Sequence, residues 1–181
     1  MIRTINSFLG LASILLFCIH GISMGLFLAG YFPYSHTRAY WGYALLLCVI
    51  LHAILSLFLI TLGDGKKKQF SYVKQNAGSY IQRILGILMI ALIYLHMSAY
   101  GYINEDGAYL LKEPDKSTFV TQVLLVLVAG AHLLLSFPKS AITLGMINNE
   151  SEYKNYKNLS YMIFFIVVGI SLNGLWRYFL G

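Results

Sequence analysis

Five long stretches of this chain carry no charged side chain. They run over residues 4–37, 39–63, 84–104, 117–138 and 158–176. About 20 apolar residues in a helix cross the hydrocarbon core of a bilayer, so each stretch is long enough to span one. Inside lipid every backbone N–H and C=O needs a partner within the structure, and a helix supplies it within the segment. The polar–apolar alternation of a membrane barrel is absent. The pattern predicts helices near 6–30, 40–62, 79–102, 118–145 and 158–179. The expected fold is all-α: an integral membrane bundle of five transmembrane helices, forming a single transmembrane domain over residues 1–181.

Composition narrows the class further. Apolar residues make up 58% of the chain and charged residues 11%, against about 25% charged in a soluble domain. A water-soluble sphere built from this chain would expose a largely apolar surface. Soluble enzymes and disordered tails are therefore excluded. Two cysteines cannot build a secreted disulfide framework. Arg3 ahead of an apolar run resembles the start of a signal peptide, but the run is too long. Phe17 also stands where a lipoprotein box before Cys18 would need a small residue. The first helix is expected to be retained.

The basic residues give an orientation. With the N-terminus inside, the inner side holds Arg3, Lys66, Lys67, Lys68, Lys74, Arg83, Lys139, Lys154 and Lys157. The outer side holds Arg38, Lys112, Lys116 and Arg177, nine against four. The expected topology is N-terminus inside and C-terminus outside. The net charge of +6 is then a topology signal, not a nucleic-acid footprint. Aromatic residues near the span ends, among them Tyr31, Tyr40, Trp41, Tyr43 and Trp176, suit the interfacial belt.

Four of the five histidines fall deep in predicted helices, one apiece: His20, His52, His96 and His132. An intramembrane ionisable residue is costly and marks a functional candidate. A lone buried histidine often just bonds a neighbouring helix, but one in each of four helices is a pattern. At 1.5 Å per residue, His20 lies roughly 15 Å and His96 roughly 9 Å from the outer helix ends. His52 and His132 lie roughly 18 and 21 Å below theirs. The four resolve into two levels, His20 with His96 and His52 with His132. Two bis-histidine pairs suit two stacked haems in a bundle core. Zinc sites cluster three or four ligands, which this spread does not offer. No Cys-x-x-Cys-His occurs, so the haem would be b-type and non-covalent. Small residues near the histidines (Gly21, Ser23 and Gly25; Ser56; Ala129, Gly130 and Ala131) fit either a bulky planar group or close helix packing.

The third helix then becomes specific. Its Gln82-Arg83-Ile84-Leu85-Gly86 followed by His96 resembles the Gln-Arg-x-x-Gly…His helix of the di-haem cytochrome b membrane anchors of succinate dehydrogenase and fumarate reductase, of the Bacillus type. That family has five helices and one haem-ligating histidine in each of the first four. The resemblance implies His20 and His96 as ligands of an outer haem b, and His52 and His132 as ligands of an inner one. Arg83 matches the motif arginine, and Lys139 lies seven residues past His132 on nearly the same helix face; as cations at the inner side, both are candidates for contacts with the inner haem's propionates. The resemblance further implies a quinone, menaquinone in such anchors, as substrate, and an iron–sulfur subunit and a flavoprotein subunit as partners on the inner face. The setting would be the cytoplasmic membrane of a prokaryote. Some members carry a glutamate two residues before the fourth histidine, where this chain has Gly130. No carboxylate lies within any predicted span. After helix 1, where some members place an acidic residue for quinone, this chain offers His36, Arg38, Tyr34 and Trp41. His36 and Arg38 are the candidates for a quinone site, since a histidine titrates near neutrality.

The expected function is electron transfer between membrane quinone and the iron–sulfur subunit of a succinate:quinone or quinol:fumarate oxidoreductase. The alternatives are a haem-b anchor of a different respiratory complex, or a small histidine-based proton or metal transporter. A transporter would want acidic partners or helix breaks at mid-membrane, and Pro138 with scattered glycines is all that is on offer. The run Lys66-Lys67-Lys68 would serve topology or dock a partner or anionic lipid.

Overall fold

The computed structural model describes residues 1–33, 35–62, 73–99, 102–103, 109–110 and 115–181. Five helices dominate it: α1 Ile2–Leu28, α2 His36–Leu62, α3 Val73–Ala99, α4 Lys116–Thr143 and α5 Glu150–Leu180. Each is long and apolar enough to cross a membrane. Their outward faces carry Phe8, Leu15, Leu57, Ile87, Tyr94 and Phe165, all well exposed. Such a surface suits lipid and is costly in water.

All five helices begin earlier than their charge-based boundaries. α5 begins at Glu150, eight residues before the predicted 158, because charge marks depth in a bilayer and does not stop a helix. The side chain of Asn149 accepts the Glu152 N–H at 2.9 Å, and the Glu152 carboxylate accepts the Asn148 N–H at 2.6 Å. This reciprocal cap starts the helix. Lys154 pairs with Glu150 at 2.9 Å, one turn apart on the exposed surface. α3 likewise starts at Val73 and stops at Ala99, short of the predicted 102. Tyr102–Ile103 instead pairs antiparallel with Tyr109–Leu110 as β1 and β2, a use to which aromatic and β-branched residues are suited. At the other boundary, Asp115 caps α4 through the Ser117 and Thr118 N–H groups. α4 runs through Pro138 without a break.

Contacts between residues fix the directions. Asn6 meets Ser56 and Gly42 meets His20, so α1 and α2 are antiparallel. Gln82 meets Ser136 and His96 meets Gln122, so α3 and α4 are too. Ser171 donates to Gly21 O and Arg177 to Ala29 O, a nearly constant offset that makes α1 and α5 parallel. Phe119 stacks near Phe179 and Phe137 near Tyr156, so α4 and α5 are antiparallel. The helices therefore alternate up and down.

α1 and α4 form the centre. α1 packs on α2, α5 and α4, and α4 also packs on α3 and α5. α5 fits so closely that a Cβ on Gly174 would lie 2.2 Å from Gly25 O. Gly21 and Gly130 face Val167 and Phe164 of α5 in the same way. These small residues therefore serve helix packing. α1, α2, α3 and α4 make the corners of a quadrilateral. Among the described residues, α2 and α3 do not pack closely on each other, nor do the diagonal partners α1 with α3 and α2 with α4.

Candidate functional site

The histidines lie on those diagonals. His20 of α1 and His96 of α3 face each other with ring centroids 6.2 Å apart and planes at 86°. His52 of α2 and His132 of α4 stand close enough for their charges to interact. Gly10 of α1 lies between His52 and Ser140 of α4, with its Cβ position 3.3 Å from the ring and 3.5 Å from the hydroxyl. All four imidazoles are half-buried.

A glycine on the neighbouring helix makes room for three of these rings. A Cβ on Gly42 would sit 2.9 Å from His20 Cε1, and one on Gly86 would sit 3.5 Å from His132 Cε1. Gly10 does the same for His52. Ser23, one turn on from His20, bonds back to the His20 carbonyl at 3.1 Å and so leaves the ring alone.

Three of the rings have their outer nitrogen engaged. His52 Nδ1 donates to Asn6 O at 3.0 Å, and His132 Nδ1 donates to Gln82 O at 3.1 Å. His96 Nδ1 donates to the Gln122 side-chain oxygen at 2.6 Å. A carbonyl oxygen can only accept, so Nδ1 carries the proton in each. Nε2 is then the atom with a lone pair. A hydrogen bond of this kind on the other ring nitrogen is what holds a metal-ligating histidine in one tautomer. His20 differs: its buried Nδ1 has no partner of good geometry among the described residues, although a peptide group of Arg38 lies near it.

The Gln82-Arg83-x-x-Gly86 segment now has a physical account. Gln82 gives its backbone carbonyl to His132, and Gly86 leaves space for the same ring. Its side chain donates to Ser136 Oγ at 2.9 Å and accepts from Lys139 Nζ at 2.9 Å. Lys139 also reaches Ser79 Oγ at 3.3 Å, and Arg83 lies within electrostatic range of it. Two of the three ammonium donors are thus in use. One turn from Lys139, Ser136 is buried.

The first candidate for a quinone contact, Arg38, sits in the opening turn of α2. Its Nη1 donates to Pro33 O and its guanidinium stands 5.4 Å from the Phe32 ring centre. With Phe32 and the α1 residues Cys18, Ile19, Ile22, Ser23 and Leu26, it lines an apolar cavity of about 350 Å³. Ser23 ties this cavity to the turn that carries His20. His36 opens α2, but its side chain and Tyr34 lie outside the described residues, as do Lys66, Lys67, Lys68 and Lys112.

Among the described residues, no three His, Cys, Asp or Glu side chains converge on one point; the imidazoles come in twos. Asn6 and Gln122 were not singled out in the sequence. Both are uncharged, and a search for charge inside apolar spans passes over them. The signal available was an amide side chain within an apolar helix, one residue type short of an ionisable group. No family model, curated protein or solved structure matches this chain.

Proposed function

We propose that the chain is a di-haem cytochrome b anchor, carrying electrons between membrane quinone and an iron–sulfur subunit of a succinate:quinone or quinol:fumarate oxidoreductase. The observation that carries this reading is the geometry of His20 and His96. With a metal–imidazole nitrogen distance of about 2 Å, two rings on opposite sides of one iron have centres about 6 Å apart. The observed 6.2 Å suits such a pair, and the two rings come from helices that do not pack on each other. A planar group could enter from the α2–α3 side, where the bundle is least closed.

Bound haem b would supply reversible one-electron chemistry. The chain's own residues do the rest. Nε2 of His20 and His96 would ligate one iron, and that of His52 and His132 the other. Asn6, Gln82 and Gln122 hold three of the rings in the ligating tautomer. Lys139 has two of its N–H donors engaged among the described residues and would give the third to a propionate, with Arg83 beside it, and the two share the His132 end of the bundle. Arg38 and the cavity beneath it offer a cationic rim and an apolar wall to a quinone, with His36 at the same helix start. The basic inner ends would face the iron–sulfur and flavoprotein partners. The orientation, N-terminus inside in a prokaryotic cytoplasmic membrane, rests on the distribution of lysine and arginine.

The transporter alternative would want acidic partners within the spans or a helix break that bares backbone groups at mid-membrane. All five described helices are continuous, so no observation favours it. Protein purified from haem-replete cells is expected to be red, with reduced b-type Soret and alpha bands and two haems per chain. A colourless preparation sinks the cytochrome reading. Copurification of a nickel or molybdenum subunit, in place of a flavoprotein with an iron–sulfur partner, would move the chain to a different respiratory complex.

A further inference from the structure

Of the three engaged histidines, two donate to backbone carbonyls and one to a side chain. That one is His96, whose Gln122 bond is also the shortest at 2.6 Å. Gln122 is 2% exposed, so water does not compete for its oxygen. Its Nε2 has no partner among the described residues. A buried amide N–H left unmatched is costly, so the site holds the amide in place at some expense. Across the pair, His20 Nδ1 has no acceptor of good geometry among the described residues, only the peptide group of Arg38 near it. The two rings of this pair are therefore held unequally, and the stronger hold comes from a group that a single substitution can change.

An acceptor on Nδ1 raises the basicity of Nε2 and fixes the ring's orientation. A more basic ligand favours the more positive metal, and hydrogen bonding around axial ligands is one lever on haem potential. A neutral amide exerts a moderate pull, whereas a carboxylate would pull harder but be costly to bury. Resting on the cytochrome reading above, we infer that Gln122 is the positioning residue of the His20–His96 site: it fixes the His96 tautomer and sets the redox potential of the haem held there, leaving the other haem untouched.

The test is a potentiometric titration of the full chain purified in detergent, followed in the alpha band, with the second haem as internal control. Gln122→Met conserves volume and removes the strong acceptor; it is expected to raise one midpoint and leave the other in place. Gln122→Glu keeps the acceptor and adds charge, and is expected to lower the same midpoint. Loss of that haem alone from Gln122→Met, with retention in Gln122→Glu, also supports the assignment. If Gln122→Met does not accumulate, the direction of the Gln122→Glu shift decides. Two haems at wild-type midpoints in Gln122→Met, or an equal shift of both, overturns the role of Gln122 while leaving the cytochrome reading intact. A wild type without haem bands overturns both.

Discussion

Gly42 stands so close to His20 that a methyl group in its place would lie 2.9 Å from the ring Cε1 and 3.2 Å from Nδ1. The ring cannot retreat easily, because α1 is central and packs on three other helices. Gly42→Val would force the imidazole out of line with His96, and overpacking of this kind costs about 1–3 kcal/mol. On the cytochrome reading, the expected result is a fall from two haems per chain to one, read as the pyridine haemochromogen against protein. Two haems and an unchanged spectrum would mean that the His20 ring is not held where a ligand must be.

The pairing itself has a direct test. On the cytochrome reading, His96→Ala is expected to remove the haem assigned to His20 and His96 and to keep the one assigned to His52 and His132. The double variant His20→Ala/His96→Ala should lose no more haem than either single one. Loss of a second haem in the double variant would assign the two histidines to different irons.

Much of this arrangement is legible in the sequence. Five long apolar helices follow from charge-free length, and the nearness of His20 to His96 and of His52 to His132 follows from helical rise. The helix ends did not follow. Residues 150–157 are charged and polar yet helical, because Asn149 and Glu152 cap them and the helix continues beyond any apolar core. The glycines around His20 were ambiguous in the sequence and are not in the fold. Gly21 and Gly25 face α5, while the glycine that makes room for His20 is Gly42, on another helix. That relation depends on the α1–α2 register, which no periodicity within one helix reveals. Gln122 and Asn6 escaped for the same reason: their role is defined by what faces them.

Gln82 allows a backbone role to be separated from a side-chain role. Gln82→Ala keeps the carbonyl that accepts from His132 but removes the partner of Lys139 and Ser136. Losing buried hydrogen bonds of this sort costs about 1–3 kcal/mol. The variant is expected to unfold at a lower temperature in a detergent melt and, on the cytochrome reading, to keep both haems. Loss of a haem with no change in melting would show that the side chain, not the carbonyl, supports His132.

Asp115 supplies a pH dependence outside the spans. Hydrogen bonds from Ser117 Oγ and the Thr118 N–H hold its carboxyl below the ordinary aspartate value. A depressed carboxyl stabilises the folded state above the unfolded pKa, and that contribution is lost as pH falls through the folded one. The first turn of α4 should therefore protect its amides at neutral pH and fray in acid. Amide hydrogen exchange, corrected for intrinsic rates, should show Ser117 and Thr118 opening more readily below about pH 4. In Asp115→Ala they should open more readily at pH 7 as well, with the acid dependence gone. Protection in that variant equal to wild type at pH 7 would remove Asp115 as the cap.

The α1–α5 contact separates packing from haem binding. A Cβ at position 174 would stand 2.2 Å from Gly25 O and 2.8 Å from Gly25 Cα. Those atoms are backbone, so α5 as a whole would have to shift away from α1. Nearby, Ser171 donates to Gly21 O at 3.3 Å and Arg177 lies 5.4 Å from the Tyr31 ring centre, and both contacts would stretch with the shift. Gly174→Leu is expected to destabilise the bundle by about 2–3 kcal/mol or more, the upper range for an overpacked core. Gly169→Leu is the control, because a Cβ there meets nothing within 4 Å. α5 carries no histidine, so chains of Gly174→Leu that fold should still bind two haems with unshifted bands. The expected pattern is therefore a lowered melting temperature in Gly174→Leu, a near-normal one in Gly169→Leu, and two haems per folded chain in each. Equal melting of the two variants would show that α5 does not depend on close approach to α1.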